Sequence, residues 1–289
     1  MAEARHRPVL VAEVVELLSR AETVVDATVG AGGHAAALLE AGTRRLIGVD
    51  RDPNALAAAG ERLAGYGDRV RLLEGRFGEL DEVVRASGVE RVNGVLFDLG
   101  VSSMQLDRAE RGFSYRADAP LDMRMGEGDR TASDVVNTYP QDELQRIIGA
   151  FGEERFAGRI AAAIVRARTR SPIESTRELA AVVAAAVPKR RGGPHPARRT
   201  FQAIRIEVNR EIEELAASLP RAVRLLAPDG RIAVIAYHSL EDRAVKRFLL
   251  GEESLRILTK KPIRPSTAES SGNPRARSAR LRAAEKRAA

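Results

Sequence analysis

The stretch VVDATVGAGGHAAALLEAGTRRLIGVD, residues 24–50, predicts a strand, a glycine-rich turn, a helix and a second strand. Glycine removes the side chain where a backbone must approach a ligand closely, and Gly30, Gly32 and Gly33 stand between the first strand and the helix. Asp50 ends the second strand about 20 residues later, where an acid can accept hydrogen bonds from the two hydroxyls of a ribose. The stretch therefore predicts a site for a nucleoside cofactor.

Asp26, at the mouth of this turn, bears on which nucleoside is bound. Gly30, Gly32 and Ala35 satisfy the alanine-ended dinucleotide fingerprint, so a nicotinamide cofactor is one candidate. Its pyrophosphate would meet the Asp26 carboxylate, whereas S-adenosylmethionine has no phosphate and carries cationic ammonium and sulfonium groups. The charge favours S-adenosylmethionine, and the pattern alone leaves open the dinucleotide and a turn whose glycines only allow close packing.

The composition excludes several kinds of site and location. The chain has 289 residues, 44% of them hydrophobic, and no cysteine. It contains no run of about 18 uncharged apolar residues and its N-terminus lacks an apolar signal core, so we expect a cytoplasmic protein that does not bind a membrane. Methylation of a pyrimidine at C5 normally needs a cysteine nucleophile, and thiolate zinc and iron–sulfur sites need several cysteines. Those chemistries are excluded, and no metal site is predicted.

The net charge of +7 is concentrated at the C-terminal end of the chain. Residues 260–289 carry nine basic and two acidic side chains, so the rest of the chain is neutral overall. We interpret 260–289 as a basic C-terminal tail that contacts phosphates, with a solvated disordered tail as the alternative.

Two further strands extend the pattern, at Val70–Leu73 and Val92–Leu99. Strands that alternate with helices predict an α/β fold with a parallel, doubly wound sheet, whose ligand crevice lies outside the carboxyl ends of the strands. Phe77 follows the third strand, in a position to lie against an adenine ring or in the core, and Asp98 is near the end of the fourth. A single acid at a strand end is often only a helix cap. The residues expected together on this edge are Asp26, Asp50, Phe77 and Asp98.

After Leu99 the pattern of strands stops until Arg231. The intervening segment is rich in turn formers and then helical, with helices predicted over 141–168, over 174–187, where Ser175 and Glu178 form a capping box, and over 207–226. We therefore expect a helical subdomain inserted after the strand that carries Asp98. The predicted domains are a discontinuous cofactor-binding domain, 1–104 and 207–289, and a substrate-recognition subdomain, 105–206.

A basic loop ends the predicted subdomain, in the sequence PKRRGGPHPARRTF, residues 188–201. Its cations and backbone amides are suited to contact a nucleic-acid backbone, and its phenylalanine could stack on a base. A solvated loop is the alternative. The candidate RNA-binding residues are Lys189, Arg190, Arg191, His195, Arg198, Arg199 and Phe201.

Several motifs together closely resemble the RsmH (MraW) family. They run in the family's order through almost the whole chain, and they are the segments 6–10, 26–34, 98–103, 111–115, 120–125, 194–202, 238–242, 261–265 and 273–279. Members of that family use S-adenosylmethionine to methylate N4 of a cytidine in the decoding region, at the P site, of bacterial 16S ribosomal RNA in the small ribosomal subunit. One departure is Arg198, because the family's loop has threonine at that position.

The resemblance implies a Rossmann-like class I methyltransferase sheet with an inserted all-helical subdomain, and S-adenosyl-L-methionine as cofactor. It implies cofactor contacts at Gly32, Gly33, His34, Asp50, Phe77, Asp98 and Gln105, of which His34 and Gln105 are not reached from the residue pattern. Whether the protein is a monomer or a homodimer stays open.

Cytosine N4 is a poor nucleophile because its lone pair is delocalised into the ring, so catalysis must position it and accept its proton. Asp98 is the first candidate for that role, and the strand end Tyr237-His238-Ser239 is the second, as a base clamp or proton acceptor. The substrate cytidine must be single-stranded or splayed out.

Three alternatives stay open at this point: a ribosome assembly factor that binds without turnover, a nicotinamide oxidoreductase, and a DNA cytosine-N4 methyltransferase. The last would be expected to carry a Pro-Pro-aromatic turn after the strand-end acid, and residues 99–101 lack it.

Overall fold

A seven-stranded sheet organises the larger part of the computed structural model, which describes residues 8–19, 21–100, 109–126, 128, 130–188, 193 and 195–288. The chain divides into two units, Met1–Gly100 with Ile212–Ala289 (unit 1) and Val101–Glu211 (unit 2). These limits differ by a few residues from the predicted subdomain limits of 105–206.

The sheet of unit 1 has the strand order β3-β2-β1-β4-β5-β7-β6. Strands β1 to β5 are parallel, and β7 is antiparallel to both of its neighbours, β5 and β6. The strands are β1 Thr23–Asp26, β2 Arg45–Asp50, β3 Val70–Glu74, β4 Val92–Asp98, β5 Leu226–Ala236, β6 Leu255–Ile257 and β7 Arg280–Lys286. The predicted α/β fold with a Rossmann-like sheet is confirmed.

Helices accompany the strands in unit 1 and make up most of the regular structure described in unit 2. They are α1 Val11–Leu18, α2 Gly33–Glu40, α3 Pro53–Leu63, α4 Leu80–Ala86, α5 Ala132–Thr138, α6 Gln141–Gly152, α7 Ala157–Arg168, α8 Thr176–Ala186, α9 Arg198–Asn209, α10 Glu211–Leu225, α11 Ser239–Gly251 and α12 Thr267–Gly272. Within the described ranges, no helix combines the length and the apolar character needed to cross a membrane.

The core of unit 1 lies on both faces of the sheet, because its central strands are apolar on both sides. In β4, Val95, Leu96 and Phe97 are all fully buried, and Leu96 packs in one hydrophobic cluster while its two neighbours pack in the other. Alternate residues of a strand point to opposite faces, so this division follows directly from the strand geometry. The central strands are thereby fixed in register, and so are the residues at their ends.

Unit 2 has a hydrophobic core of its own, built from α5 to α9 and the irregular segment before them. The predicted capping box of Ser175 and Glu178 is confirmed at the start of α8. Asn209, at the end of α9, accepts a hydrogen bond from the backbone N–H of Met125 at 2.9 Å and donates to the carbonyl of Met123 at 2.8 Å. A buried side chain therefore anchors a segment that has no regular secondary structure.

Three predicted elements have different limits in the structure. The helix expected over 141–168 is two helices, because Glu153 adopts a left-handed conformation with φ 48° and ends α6. Arg210, with φ 51°, likewise separates α9 from α10, where one helix was expected over 207–226. Strand β5 begins at Leu226 instead of Arg231 and continues through the predicted turn, in which Asp229 has φ 61°. A single residue in the left-handed region is a break that periodicity does not reveal.

The interpretation of residues 260–289 as a basic tail is wrong. Strand β7 lies between β5 and β6, and Leu281, Ala283 and Ala284 in it are buried. Its charges are used internally, because Arg282 Nε donates to Asp242 Oδ1 at 2.6 Å. The apolar residues of β7 alternate with charged ones too briefly to stand out in a segment of high net charge, so the charge count dominated the interpretation.

Candidate functional site

Three carboxylates end neighbouring strands of unit 1. Asp26 is the last residue of β1, Asp50 of β2 and Asp98 of β4. Because these strands are parallel, their carboxyl ends meet at the same edge of the sheet, where open α/β sheets bind ligands. Phe77 lies three residues after β3, with its ring edge-on to Phe97 at 6.2 Å between centroids. The structure therefore brings these predicted residues to one edge.

The glycine turn between β1 and α2 leaves its backbone without side chains in a conformation that favours glycine. Gly30 has φ 51° and Gly32 has φ 74°, so both lie in the left-handed region. The N–H of Gly30 donates to Asp50 Oδ2 at 3.0 Å, and the N–H of Asp52 donates to Asp50 Oδ1 at 3.0 Å. A side chain at Gly33 would meet Pro8, whose Cγ lies 2.5 Å from the position of an added Cβ. Asp50 is therefore held against the turn, and each of its oxygens keeps a second lone pair for a ligand hydroxyl.

Asp26 is almost completely buried, with 1% of its surface exposed. Its Oδ1 accepts the N–H of Thr28 at 3.2 Å. Burial raises the pKa of Asp26 to about 7, and His34 and the Thr28 hydrogen bond oppose that rise. A cation placed beside this carboxylate would favour its ionised form, so the position is suited to a positively charged ligand group.

Asp98 is held from several sides. Tyr237 Oη donates to Asp98 Oδ1 at 2.7 Å, and His34 Nδ1 lies 3.5 Å from Asp98 Oδ2. The backbone N–H of Asp98 donates to Thr28 Oγ1 at 2.7 Å, which ties the end of β4 to the turn after β1. Burial raises the pKa of Asp98, while His34 and the Tyr237 hydrogen bond oppose this rise. The carboxyl group is therefore fixed in orientation, and its pKa lies above that of an ordinary aspartate.

The segment that follows β5 was predicted as a base clamp or proton acceptor. Burial, followed by the Asp98 charge, raises the pKa of Tyr237 well above that of an ordinary tyrosine, so its hydroxyl donates to Asp98 and does not accept a proton near neutral pH. His238 is the N-cap of α11: its Nδ1 accepts the N–H of Glu241 at 3.4 Å, and Glu241 Oε2 accepts the N–H of His238 at 3.3 Å. Ser239 is the first residue of α11. Within this segment, Tyr237 contacts Asp98 directly.

His34 was expected to contact the cofactor, and its ring turns inward. It is 5% exposed, and its Nε2 is 2.8 Å from the carbonyl oxygen of Val9. Nothing in the spacing of the glycine turn indicates the contact with Val9, which comes from the segment before α1. The sequence feature that could have indicated this contact is the hydrophobic pair Val9 and Leu10, immediately before the first helix.

The candidate RNA-binding residues of unit 2 have different environments. His195 is exposed and stacks on Tyr115, with ring centroids 4.7 Å apart and planes 13° from parallel. Arg198 and Arg199 are exposed in the first turn of α9, and Arg199 Nη1 donates to the carbonyl of Glu153 at 3.0 Å. Lys189, Arg190 and Arg191, and also Gln105 among the cofactor candidates, lie outside the described residues.

Phe201 cannot stack on an RNA base as expected. It is 4% exposed in the core of unit 2, where its ring meets Tyr115 edge-on at 5.7 Å between centroids. The reason is its position in α9, because the helix turns Phe201 inward and Arg198 and Arg199 outward. The aromatic ring exposed in this region is that of His195.

The chain is similar over nearly its whole length to one protein family. The sequence model of the MraW methylase family matches residues 3–287. A ribosomal RNA small subunit methyltransferase H from Acidothermus cellulolyticus is 53% identical, over 97% of this chain and 93% of that one. A protein of the same name from a Methylobacterium species is 51% identical, over 99% of this chain and 92% of that one. Among solved structures, a putative rRNA methylase from Clostridium thermocellum is similar with a TM-score of 0.48 and 16% identity, over 97% of this chain and 99% of that one.

Proposed function

The chain belongs to the MraW methylase family, and on that premise we propose that it uses S-adenosylmethionine to methylate N4 of a cytidine in the decoding region, at the P site, of bacterial 16S ribosomal RNA. The observation that carries the proposal is Asp98, a partly buried carboxyl group at a strand end whose oxygens are oriented by Tyr237 and His34. The relatives' name supports a small-subunit RNA substrate. Such a substrate would place the protein in the cytoplasm.

The edge of the sheet fits S-adenosylmethionine better than a dinucleotide. Its turn presents backbone without side chains at Gly30 and Gly32, and Asp50 is oriented for the hydroxyls of a ribose. Asp26 is a buried carboxyl group and Asp98 a partly buried one; both can compensate cationic groups, whereas a pyrophosphate beside them would be repelled. Gly32, Gly33 and Phe77 complete the residues that we expect to contact the cofactor, together with the predicted Gln105. When bound, S-adenosylmethionine supplies an electrophilic methyl group.

The residues of this chain would then act on the cytidine amine. Asp98 is placed to accept a hydrogen bond from N4 and to take up the proton that the amine loses. The Tyr237 hydroxyl holds Oδ1 of Asp98, so the carboxyl group does not turn away. Positioning of a weak nucleophile can supply about 7–11 kcal/mol of the barrier, which is why a fixed carboxyl group can matter more than a strong base.

Unit 2 supplies the proposed RNA contacts. Arg198 and Arg199 are exposed cations that can pair with phosphates. The exposed ring of His195, backed by Tyr115, offers a flat surface on which an unpaired base can stack. These contacts, with the predicted Lys189, Arg190 and Arg191, would hold a single-stranded segment of the RNA. A duplex would not serve, because base pairing engages the N4 edge of cytosine.

The experiment that tests the proposal is incubation of the protein with small ribosomal subunits and methyl-labelled S-adenosylmethionine, followed by digestion of the RNA and mass analysis of its nucleosides. The expected product is N4-methylated cytidine at one position of 16S RNA. A methyl group on another nucleoside would contradict the proposal. Binding of S-adenosylmethionine without turnover on free RNA, small subunits or assembly particles would instead indicate an assembly factor, and binding of NAD in its place an oxidoreductase.

A further inference from the structure

The imidazole of His34 bridges two parts of unit 1 that the sequence does not connect. On one side, Nε2 lies 2.8 Å from the carbonyl oxygen of Val9, in the segment before α1. On the other side, Nδ1 lies 3.5 Å from Oδ2 of Asp98, at the end of β4. The ring is 5% exposed, so water contributes little to either contact. Each ring nitrogen of His34 therefore faces a protein acceptor.

The Val9 carbonyl determines which nitrogen of His34 carries a proton. A carbonyl oxygen only accepts hydrogen bonds, so the contact at 2.8 Å requires a proton on Nε2. In the neutral ring Nδ1 would then present a lone pair to the Asp98 carboxylate, which is repulsive. The contact is favourable only when one proton lies between them, on Nδ1 as an imidazolium or on Oδ2 as a carboxylic acid.

The other groups that face Asp98 also favour a proton between His34 and Asp98. Tyr237, at the end of β5, donates to Oδ1 at 2.7 Å, and Asp26 of β1 and Glu241 of α11 add negative charge. With two acids nearby, His34 is the cation-forming side chain among the neighbours of Asp98 that the structure describes. We propose that His34 is a positioning residue that shares one proton with Asp98 and thereby fixes the orientation and charge of that carboxyl group. The proposal rests on the proposed function only in so far as Asp98 acts on the substrate.

The segment Pro8–Leu10 is held firmly enough to impose this tautomer. The N–H of Leu10 donates to Glu269 Oε1 at 2.8 Å, and Leu10 adopts a left-handed conformation with φ 56° while fully buried. Pro8 packs against Gly33, the residue before His34. The Val9 carbonyl is therefore a fixed acceptor, and the ring cannot exchange its two nitrogens without losing that contact.

Two substitutions separate the two contacts of His34. An asparagine amide nitrogen can occupy the place of Nδ1, facing Asp98, and a glutamine amide nitrogen can occupy the place of Nε2, facing Val9. If His34 acts through Asp98, we expect His34→Asn to keep the turnover rate within about fivefold of wild type and His34→Gln to lose about 10- to 100-fold, the range for a hydrogen bond to a charged group. The reverse order, equal loss or equal retention would overturn the proposal, because His34 would then act by holding Val9 or by neither contact.

The pH dependence of the single-turnover rate of methyl transfer is a second test. A purely structural role of His34 would leave this pH profile unchanged. Both variants remove the positive charge that opposes the raised pKa of Asp98, so that pKa rises further and Asp98 ionises only at higher pH. We expect the acidic limb of the rate profile to move to higher pH in both, and also in Tyr237→Phe. An unmoved limb in all three variants would contradict the proposal.

Two measurements do not depend on activity. The chain has four histidines, so nitrogen-15 NMR of labelled wild-type protein can assign the His34 nitrogens. We expect a proton on Nε2, and an Nδ1 signal that shifts in Asp98→Asn because Nδ1 loses its contact with the carboxylate; an unprotonated Nε2 would overturn the proposal even if a variant failed to fold. Calorimetric titration with S-adenosylmethionine shows whether each variant keeps the cofactor site. The wild-type product alone tests the proposed function, whereas the variants are compared on whichever nucleoside the wild type modifies.

Discussion

The edge of the sheet in unit 1 and the start of α9 in unit 2 both carry residues with predicted roles, and they differ in what holds those residues. At the sheet edge, Asp26, Asp50 and Asp98 end strands whose register is fixed, and each accepts hydrogen bonds at known distances. At α9, Arg198 is an exposed cation, and the aromatic residue beside it is part of the core. The candidate cofactor residues are thus oriented by strand ends and hydrogen bonds, and the candidate RNA contact Arg198 is a surface charge.

Removal of Asp98 should produce the largest effect on the sheet-edge side of this comparison. We expect Asp98→Ala to lower the rate of methyl transfer by about 10²- to 10⁴-fold, since it would remove the group that we propose positions the amine and accepts its proton. Glu74→Ala is a matched control, because Glu74 is an exposed acid that ends β3. Single-turnover rates with small ribosomal subunits measure both. A rate for Asp98→Ala within about threefold of wild type would show that Asp98 does not act on the substrate.

Phe201 provides a test for α9 of unit 2. Its removal should lower the free energy of unfolding and leave RNA binding unchanged. We expect Phe201→Ala to lower the free energy of unfolding by about 3–5 kcal/mol, since it leaves a cavity in the core of unit 2. Phe201→Leu should be milder, and both variants should bind RNA normally below their melting temperatures. Urea denaturation and filter binding separate the two quantities. Unchanged stability with weakened RNA binding would restore Phe201 as an RNA contact.

We expect the buried carboxylate of Asp26 to lower the free energy of unfolding of the protein without cofactor. Its pKa in the folded state is raised from 3.8 to about 7, so the stability associated with the protonated form is present below pH 4 and is lost as the pH rises to 7. Asp26→Asn removes that loss, and we expect it to increase the free energy of unfolding by about 4 kcal/mol at pH 8 and little at pH 4.

The same substitution should weaken cofactor binding by about tenfold, because a cation loses its carboxylate. Urea denaturation at the two pH values and calorimetric titration measure these effects. A stability difference independent of pH, or unchanged affinity for S-adenosylmethionine, would contradict this role of Asp26.

Arg198 should produce the smallest effect, as expected for one charge among several. We expect Arg198→Ala to raise KM for small subunits about two- to fivefold without changing kcat, and to reduce the salt dependence of RNA binding by about 0.7 in slope, the loss of one phosphate contact. Arg170→Ala is the control, since Arg170 is exposed in the same unit, two residues after the end of α7. A tenfold loss in kcat would place Arg198 in the chemistry instead.

The sequence predicted the parts of the site that depend on local chain geometry. Glycines with positive φ and acids at strand ends leave a pattern along the chain, and the sheet then assembles them. The contacts of His34 with Val9 and Asp98, and of Tyr237 with Asp98, join residues far apart in the chain and leave no such pattern. The net charge of residues 260–289 led to the wrong prediction of a tail. A count of charges does not show that Arg282 is paired with Asp242.

The place of β7 has a consequence for the order in which the protein can fold. Strand β7 comes after the other six strands of the sheet in sequence, yet it lies inside the sheet, and the short strand β6 pairs with it. Until β7 has been synthesised, β5 keeps an open edge and β6 lacks a neighbour. Arg280 and Arg282 of β7 also bind Asp242 of α11, the helix that begins just after Tyr237. The surroundings of Asp98 are therefore complete only after β7 has paired with β5, so this pairing should precede the gain of activity during folding.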